Sequence, residues 1–187
     1  MMRRQPELFA PTDPRPDAAA IRARHLVVEL CPVLEAVELV AAWHSRLPKC
    51  QMGPWQFAFR AHFNGHVYAV ALWNNPSART LPGHWLELRR MACSPDAPRN
   101  TASRFLSLMV SHFRGVCPQR ERCISYQDTA VHLGTIYKAS GWTAAYTSKP
   151  RVRDRSKPRV GTKRAYRSRL NGGGPDASAK VRWERML

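Results

Sequence analysis

The stretch Trp85-Leu86-Glu87-Leu88-Arg89-Arg90-Met91-Ala92-Cys93, continued by Ser94-Pro95-Asp96-Ala97-Pro98-Arg99 and then Asn100-Thr101-Ala102-Ser103-Arg104-Phe105, decides the fold. Its first nine residues alternate as a strand, with Leu86, Leu88 and Arg90 on one face and Glu87, Arg89 and Met91 on the other. Two prolines break the pattern into a loop. Asn100 then opens a helix to Val116, in which Phe105, Leu108, Met109, His112 and Phe113 recur at three- and four-residue spacing. Strand, loop and helix in this order set a helix N-terminus, with its unpaired amides and positive dipole end, beside the end of a strand. The small residues and hydroxyls of Arg99-Asn100-Thr101-Ala102-Ser103 let a phosphate approach such a terminus; an ordinary capped helix start is the alternative.

Working outward, His25 to Cys31 is a short apolar run that reads as a strand, and Pro32 opens a helix to about Leu47 with Leu34, Val37, Val40 and Ala41 on its buried face. Trp55, Phe57 and Phe59 alternate with Gln56, Ala58 and Arg60, and Asn64-Gly65 is a hairpin turn signal, so two antiparallel strands are expected at 55–63 and 66–73. Downstream of the long helix come a strand at Arg122 to Asp128, a short helix from about Val131 to Ser140 stopped by Gly141, and a strand at Trp142 to Thr147.

The chain has 187 residues, the size of one domain. Thirty Lys and Arg against 13 Asp and Glu give a net charge of +17, so polyanions are the expected partners. Thirteen of those cations fall in the last forty residues, beside three acids. There Lys157-Pro158-Arg159, Lys163-Arg164-Ala165-Tyr166-Arg167 and Arg169 suit a segment that tracks phosphates without reading sequence, a solvated tail being the alternative. The expected organisation is a flexible arm at 1–24, a catalytic domain at 25–147 and a basic, disordered nucleic-acid-binding tail at 148–187. No apolar run approaches the roughly 18 residues of a membrane span, and Met1-Met2-Arg3-Arg4-Gln5-Pro6-Glu7 starts no signal-peptide core, so a cytoplasmic protein without a membrane partner is expected. Five cysteines, none in a Cys-x-x-Cys pair, read as reduced core thiols.

The element order resembles the GNAT acyltransferase superfamily, although Arg99 to Ser103 lacks the glycines of the usual superfamily loop. The resemblance implies an α/β fold with a mixed, mostly antiparallel central sheet flanked by helices. It also implies acyl-CoA or acetyl-CoA as cofactor, with Arg99, Asn100, Thr101, Ala102 and Ser103 at its pyrophosphate. Gly134-Thr135-Ile136-Tyr137-Lys138-Ala139-Ser140-Gly141-Trp142 looks like the superfamily's late helix, whose tyrosine protonates the departing coenzyme A thiolate; Tyr137 has the matching position.

Three segments together carry a closer resemblance: Trp43-His44-Ser45, Glu87-Leu88-Arg89-Arg90 through Asn100-Thr101-Ala102-Ser103-Arg104-Phe105-Leu106, and Ser125-Tyr126-Gln127-Asp128 running to His132-Leu133-Gly134-Thr135-Ile136-Tyr137. They look like the Mom family of phage DNA-modification proteins, a GNAT-like group that converts adenine in DNA to an N6-carbamoylmethyl form and so protects phage DNA from host restriction. The resemblance implies a DNA-modifying transferase with His44, Arg90, Ser103, Ser125, Asp128 and Tyr137 at its site. On chemistry alone, His44 suits a base near neutral pH or, with Asp128, a metal ligand. Arg90 suits an anion, either a phosphate or Asp128. Trp43, Trp55 and Trp73 are candidates to stack on a base. Two other readings stand beside this one: an acetyl-CoA-dependent N-acetyltransferase acting on aminoacyl-tRNA, a protein or a small amine, and a non-catalytic nucleic-acid-binding protein.

Overall fold

The computed structural model describes residues 21–44, 48–50, 52–149 and 178–187. Seven strands run β1 (Val27–Leu30), β2 (Phe57–Phe63), β3 (His66–Asn74), β4 (Leu86–Cys93), β5 (Arg122–Asp128), β6 (Thr143–Thr147) and β7 (Lys180–Met186). Three helices, α1 (Val33–Trp43), α2 (Thr101–Val116) and α3 (Thr135–Ala139), lie between them in sequence. The strands form one sheet in the order β1-β2-β3-β4-β5-β7-β6. Every pairing is antiparallel except β4 with β5.

The sheet separates two apolar layers. On one face Ala36, Val37 and Val40 of α1 pack against Ala58, Val70, Leu72 and Ala92. On the other, Phe105, Leu106, Met109, Val110 and Phe113 of α2 and Tyr137 of α3 pack against Phe59, Ala71, Trp73, Leu86 and Leu88. Alternation along each strand feeds both layers, and helices on both faces give a three-layer α/β sandwich. The Asn64-Gly65 turn takes positive φ at both residues, 49° and 78°, the backbone a tight hairpin between twisted strands requires.

The first helix stops at Trp43 and not about Leu47, and the short late helix starts at Thr135 and not about Val131, because the turn before it is held by bonds to Asp128 and Gln127. Four further expectations are corrected. First, the domain extends before His25: Ile21 is buried in the α2-side core, Ala23 is buried, and a 3-10 turn spans Ala23–His25, because Ile21 is apolar enough to dock despite its polar surroundings; residues 1–20 of the expected arm lie outside the described residues. Second, the end of the basic tail is a strand of the sheet. Lys180–Met186 inserts as β7 between β5 and β6, burying Trp183, whose indole N–H donates to Gln127 Oε1 at 2.7 Å. The alternation of Val181 and Trp183 is masked in the sequence by four flanking charges, Lys180, Arg182, Glu184 and Arg185. Third, Arg90 does not share a face with Leu88. Leu88 pairs with Trp73 and Arg90 with Leu72, so Arg89 is an extra residue, a bulge that slips the alternation by one. Fourth, Trp73 is fully buried, its indole N–H directed at Met109 Sδ, and is not a stacking surface. The cations from Lys157 to Arg169 lie outside the described residues.

Trp183 seals the sheet beneath α3, so Trp183→Ala is expected to lower unfolding free energy by about 3–5 kcal/mol in urea titration. Leu34 and Ala41, expected on the buried face of α1, are exposed instead, since Ala36, Val37 and Val40 face the sheet; a Leu34→Ala control is therefore expected to change the unfolding free energy by well under 1 kcal/mol.

Candidate functional site

The parallel pairing of β4 with β5 is short. Leu86, Glu87 and Leu88 match Cys123, Ile124 and Ser125, and the ladder stops there. Beyond it β4 bulges at Arg89, the strands part, and a cleft of about 560 Å³ opens between Arg89 to Cys93 on one wall and Ser125 to Asp128 on the other. The end of α1 contributes Trp43 and His44, and the segment from Val131 to Tyr137 closes the far side.

The pleat distributes the lining between the two faces of the split. Ser125 pairs with Trp183 and points to the α3 side, where its hydroxyl and Tyr137 Oη share a hydrogen bond of 2.9 Å. Tyr137 stacks on Trp183 with ring centroids 5.3 Å apart and meets Trp142 edge-on at 5.8 Å. Burial raises its pKa, the bond with Ser125 opposing, so the phenol holds its proton at neutral pH. Asp128, three residues after Ser125, alternates to the other face and pairs with Lys180, whose Nζ stands 3.6 Å from Asp128 Oδ2. The other carboxylate oxygen accepts the Ala130 N–H at 3.0 Å.

Arg90 joins Asp128 on that second face, because the bulge turns it toward α1. Its Nη1 donates to Arg89 O at 2.7 Å, its Nε is shielded from solvent without a hydrogen-bond partner, and no described carboxylate forms an ion pair with it. Burial lowers its pKa, which marks the cost of holding a guanidinium there without an anion. Burial, then the Arg90 charge, then His132 hold the His44 imidazole below the usual histidine range, so it is neutral at pH 7.

A second cavity of about 310 Å³ lies at the start of α2, lined by Cys93, Ser94, Asn100 to Ser103, Thr135 and Ile136 among others. The amide of Thr101 bonds Pro98 O and that of Arg104 bonds Asn100 O, both at 3.1 Å, leaving the Ala102 and Ser103 amides without an intrahelical acceptor. Asn100 adopts φ 68°, the left-handed backbone a glycine would take, and so makes the turn that the missing loop glycines would make. Together with the unpaired β4 edge beyond Leu88, this donor set suits an extended ligand that carries a pyrophosphate.

Of the residues singled out in the sequence, His44, Arg90, Ser125, Asp128 and Tyr137 line the main cleft, and Thr101, Ala102, Ser103 and Asn100 line the second cavity. Ser103 Oγ donates to Asn100 O at 3.1 Å, a local capping bond. Arg99 is exposed and lines neither cavity. Trp43 lines the cleft, whereas Trp55 packs on the α1-side core. His44 and Asp128 share the cleft, but among the described residues no group of three or more His, Cys, Asp or Glu gathers as a metal would require. Sequence reasoning missed Lys180, Trp183 and Gln127. Gln127 holds His132 O through its amide nitrogen and Trp183 through its oxygen. It also missed why position 134 is glycine: φ is 74°, and a Cβ would sit 2.6 Å from both Gln127 Oε1 and Trp183 Cζ2.

The sequence matches the family model of the Mom protein family over residues 25–180. The chain belongs to the Mom protein family. No curated protein matches it. Solved structures with the same fold include the ribosomal-protein-S18-alanine N-acetyltransferase of Escherichia coli, at 13% identity and TM-score 0.51, covering 87% of this chain and 94% of that one. A Bacillus subtilis acetyltransferase in complex with CoA aligns at 11% identity and TM-score 0.54, covering 87% and 99%. The yncA protein of Salmonella typhimurium, solved with its cofactor acetyl-CoA, aligns at 10% and 0.56, covering 87% and 94%. The fold of this Mom family member is therefore that of the GNAT acetyltransferases. Among its described residues no helix is long and apolar enough to cross a membrane.

If Arg90 holds down the His44 pKa, as the cleft's electrostatics require, Arg90→Met will raise it measurably in an NMR titration of the imidazole. In the unaltered protein the titration falls below the model-peptide value of about 6.5. The linked effect on folding has a fixed sign: the unfolded state binds the proton first, so His44 makes stability fall as pH drops below about 6.5, and the loss levels off below the folded pKa.

Proposed function

We propose that this Mom family protein is a transferase that modifies the exocyclic amine of adenine in DNA to the N6-carbamoylmethyl form, which would protect phage DNA from host restriction. The observation that carries this reading is convergence. His44, Arg90, Ser125, Asp128 and Tyr137, the residues of the family-like motifs, come from α1, β4, β5 and α3 and meet at one split in the sheet, approached from both faces.

The α2 side suits an acyl-coenzyme A, with the amides of Ala102 and Ser103 at its phosphates and the free β4 edge along its extended arm. Bound there, it would supply an acyl group activated as a thioester, whose transfer to N6 forms an N–C(=O) bond and releases the coenzyme A thiol; the carbamoylmethyl form is joined through an N–CH2 bond instead, so it calls for a donor whose CH2 carbon carries the leaving group, with the N6 proton passing to a base. Tyr137 Oη carries a proton at neutral pH and is oriented by Ser125, the requirements of a general acid. On the α1 side His44 is neutral and able to accept a proton from an amine, and Asp128 and Lys180 give the cleft a carboxylate and a cation fixed against each other. Arg90, a partly buried cation with no described carboxylate beside it, suits a phosphate of the target strand. Each phosphate contact adds salt dependence and no sequence specificity, consistent with the charge of +17.

Nucleosides from plasmid DNA of cells producing the protein are expected to contain a heavier deoxyadenosine by mass spectrometry. Tyr137→Phe is expected to reduce it by roughly 10²–10⁴-fold, the range for losing a general acid, and Asp128→Ala to remove most of it, with circular dichroism unchanged in both. Unmodified DNA in cells that produce the folded protein overturns the reading. The fold shared with a ribosomal-protein N-acetyltransferase then favours acetyl transfer from acetyl-CoA to the amine of an aminoacyl-tRNA, a protein or a small molecule.

A further inference from the structure

The segment 129–134 at the mouth of the cleft presents Val131 at 45% and Leu133 at 86% exposure, on either side of His132. Neither packs on either apolar core. An exposed leucine on a loose loop needs no explanation, but this loop is stiff. Val131 and His132 donate their amides to Asp128 O at 3.2 and 3.0 Å, Ala130 donates to Asp128 Oδ1, and Thr129 donates to Ala179 O at 3.1 Å. His132 O is held by Gln127, and Gly134 is pressed against Gln127 and Trp183 so closely that no side chain fits there. The fold therefore fixes two apolar side chains in water at the rim of a cleft whose lining also includes the cations Arg89, Arg90 and Lys180, with Asp128 beside Lys180.

We infer that Val131 and Leu133 form a wedge that enters duplex DNA where the target adenine leaves the stack, Leu133 filling the gap and Val131 bracing it. This rests on the reading of the protein as a DNA adenine-modifying enzyme. An exocyclic amine paired in a duplex cannot reach Asp128 or Tyr137 inside the sheet, so the base must swing out. The unstacked step exposes apolar base faces, and burying a leucine against them offsets part of that cost, as inserted apolar side chains do in kinked duplexes. The cations beside the loop match the flanking phosphates, and Trp43, on the α1 side of the cleft, offers a face to the base that enters. A protein partner seated on the same two side chains would not call for these cations.

The test uses the full chain with two readouts. In cells, modified deoxyadenosine in plasmid DNA is compared for the wild type, Leu133→Ser and Leu133→Met. In solution, DNA duplexes and single strands carrying 2-aminopurine in place of adenine report unstacking by fluorescence, with anisotropy measuring binding. The wild type is expected to raise duplex fluorescence several-fold. Leu133→Ser should abolish that rise and lower plasmid modification about tenfold or more, while binding to single strands stays unchanged. Leu133→Met should keep both activities near wild type, and the exposure of Leu133 leaves folding intact in each variant. Wild-type modification with Leu133→Ser equally active overturns the wedge alone, as does an equal loss of binding to duplexes and single strands. Absence of both modification and unstacking with the wild type overturns the functional reading and the wedge with it.

Discussion

One extra residue in β4 governs the active region of this molecule. With Arg89 bulged out of register against β3, Leu88 stays with the α2-side core while Arg90 turns to the α1 face. At the same point the parallel ladder to β5 ends after its third matched pair. A regular strand would continue to pair and leave no opening. The strand would also set Arg90 in the apolar layer of Leu86 and Leu88, where a guanidinium has no partner and a high desolvation cost. Splitting the sheet thus solves a packing problem and makes a cleft in one step.

The split has two unlike sides. Toward α3 the wall is backed by buried aromatics, with Tyr137 packed on Trp142 and Trp183 and the Ser125 hydroxyl to orient it. Toward α1 the lining is ionic, with Arg90, Asp128, Lys180 and a neutral His44. Burial acts on each group in the direction expected of its charge, keeping the phenol protonated and the imidazole deprotonated. A proton donor and a proton acceptor are therefore available at the same pH on opposite sides of one opening, the condition for acid and base work in a single site.

The strand that supports this arrangement arrives last in the chain. β7 slots between β5 and β6, so Trp183 backs Tyr137 and Gln127, and Lys180 reaches Asp128. A catalytic domain drawn only to Thr147 would lack the floor of its own site. The short α3 likewise depends on the close approach at Gly134, which only a residue without Cβ permits.

Much of this was legible in the residues. Alternation placed β2, β3 and β4, and for β5 it gave Arg122–Asp128 without adjustment; three- and four-residue spacing placed α2, and Asn64-Gly65 fixed the hairpin register. The motif residues His44, Arg90, Ser125, Asp128 and Tyr137 could be named in advance through the resemblance of their segments to the Mom family; their side-chain chemistry alone left structural roles open for each. What the sequence alone could not supply was anything depending on pairing between distant strands. Period-two patterning assigns faces only while register is unbroken, so the slip at Arg89 misdirected Arg90, and β7 was hidden because four of its residues are charged and Trp183, its one buried apolar residue, packs against residues of other elements. Composition and local spacing determined the β2–β3 hairpin, β4, β5 and α2, because alternation and three- and four-residue spacing are properties of a single segment. Tertiary structure alone decided which of them face each other, because a bulge and an inserted strand are settled by the ladder's partners and leave no mark in local periodicity.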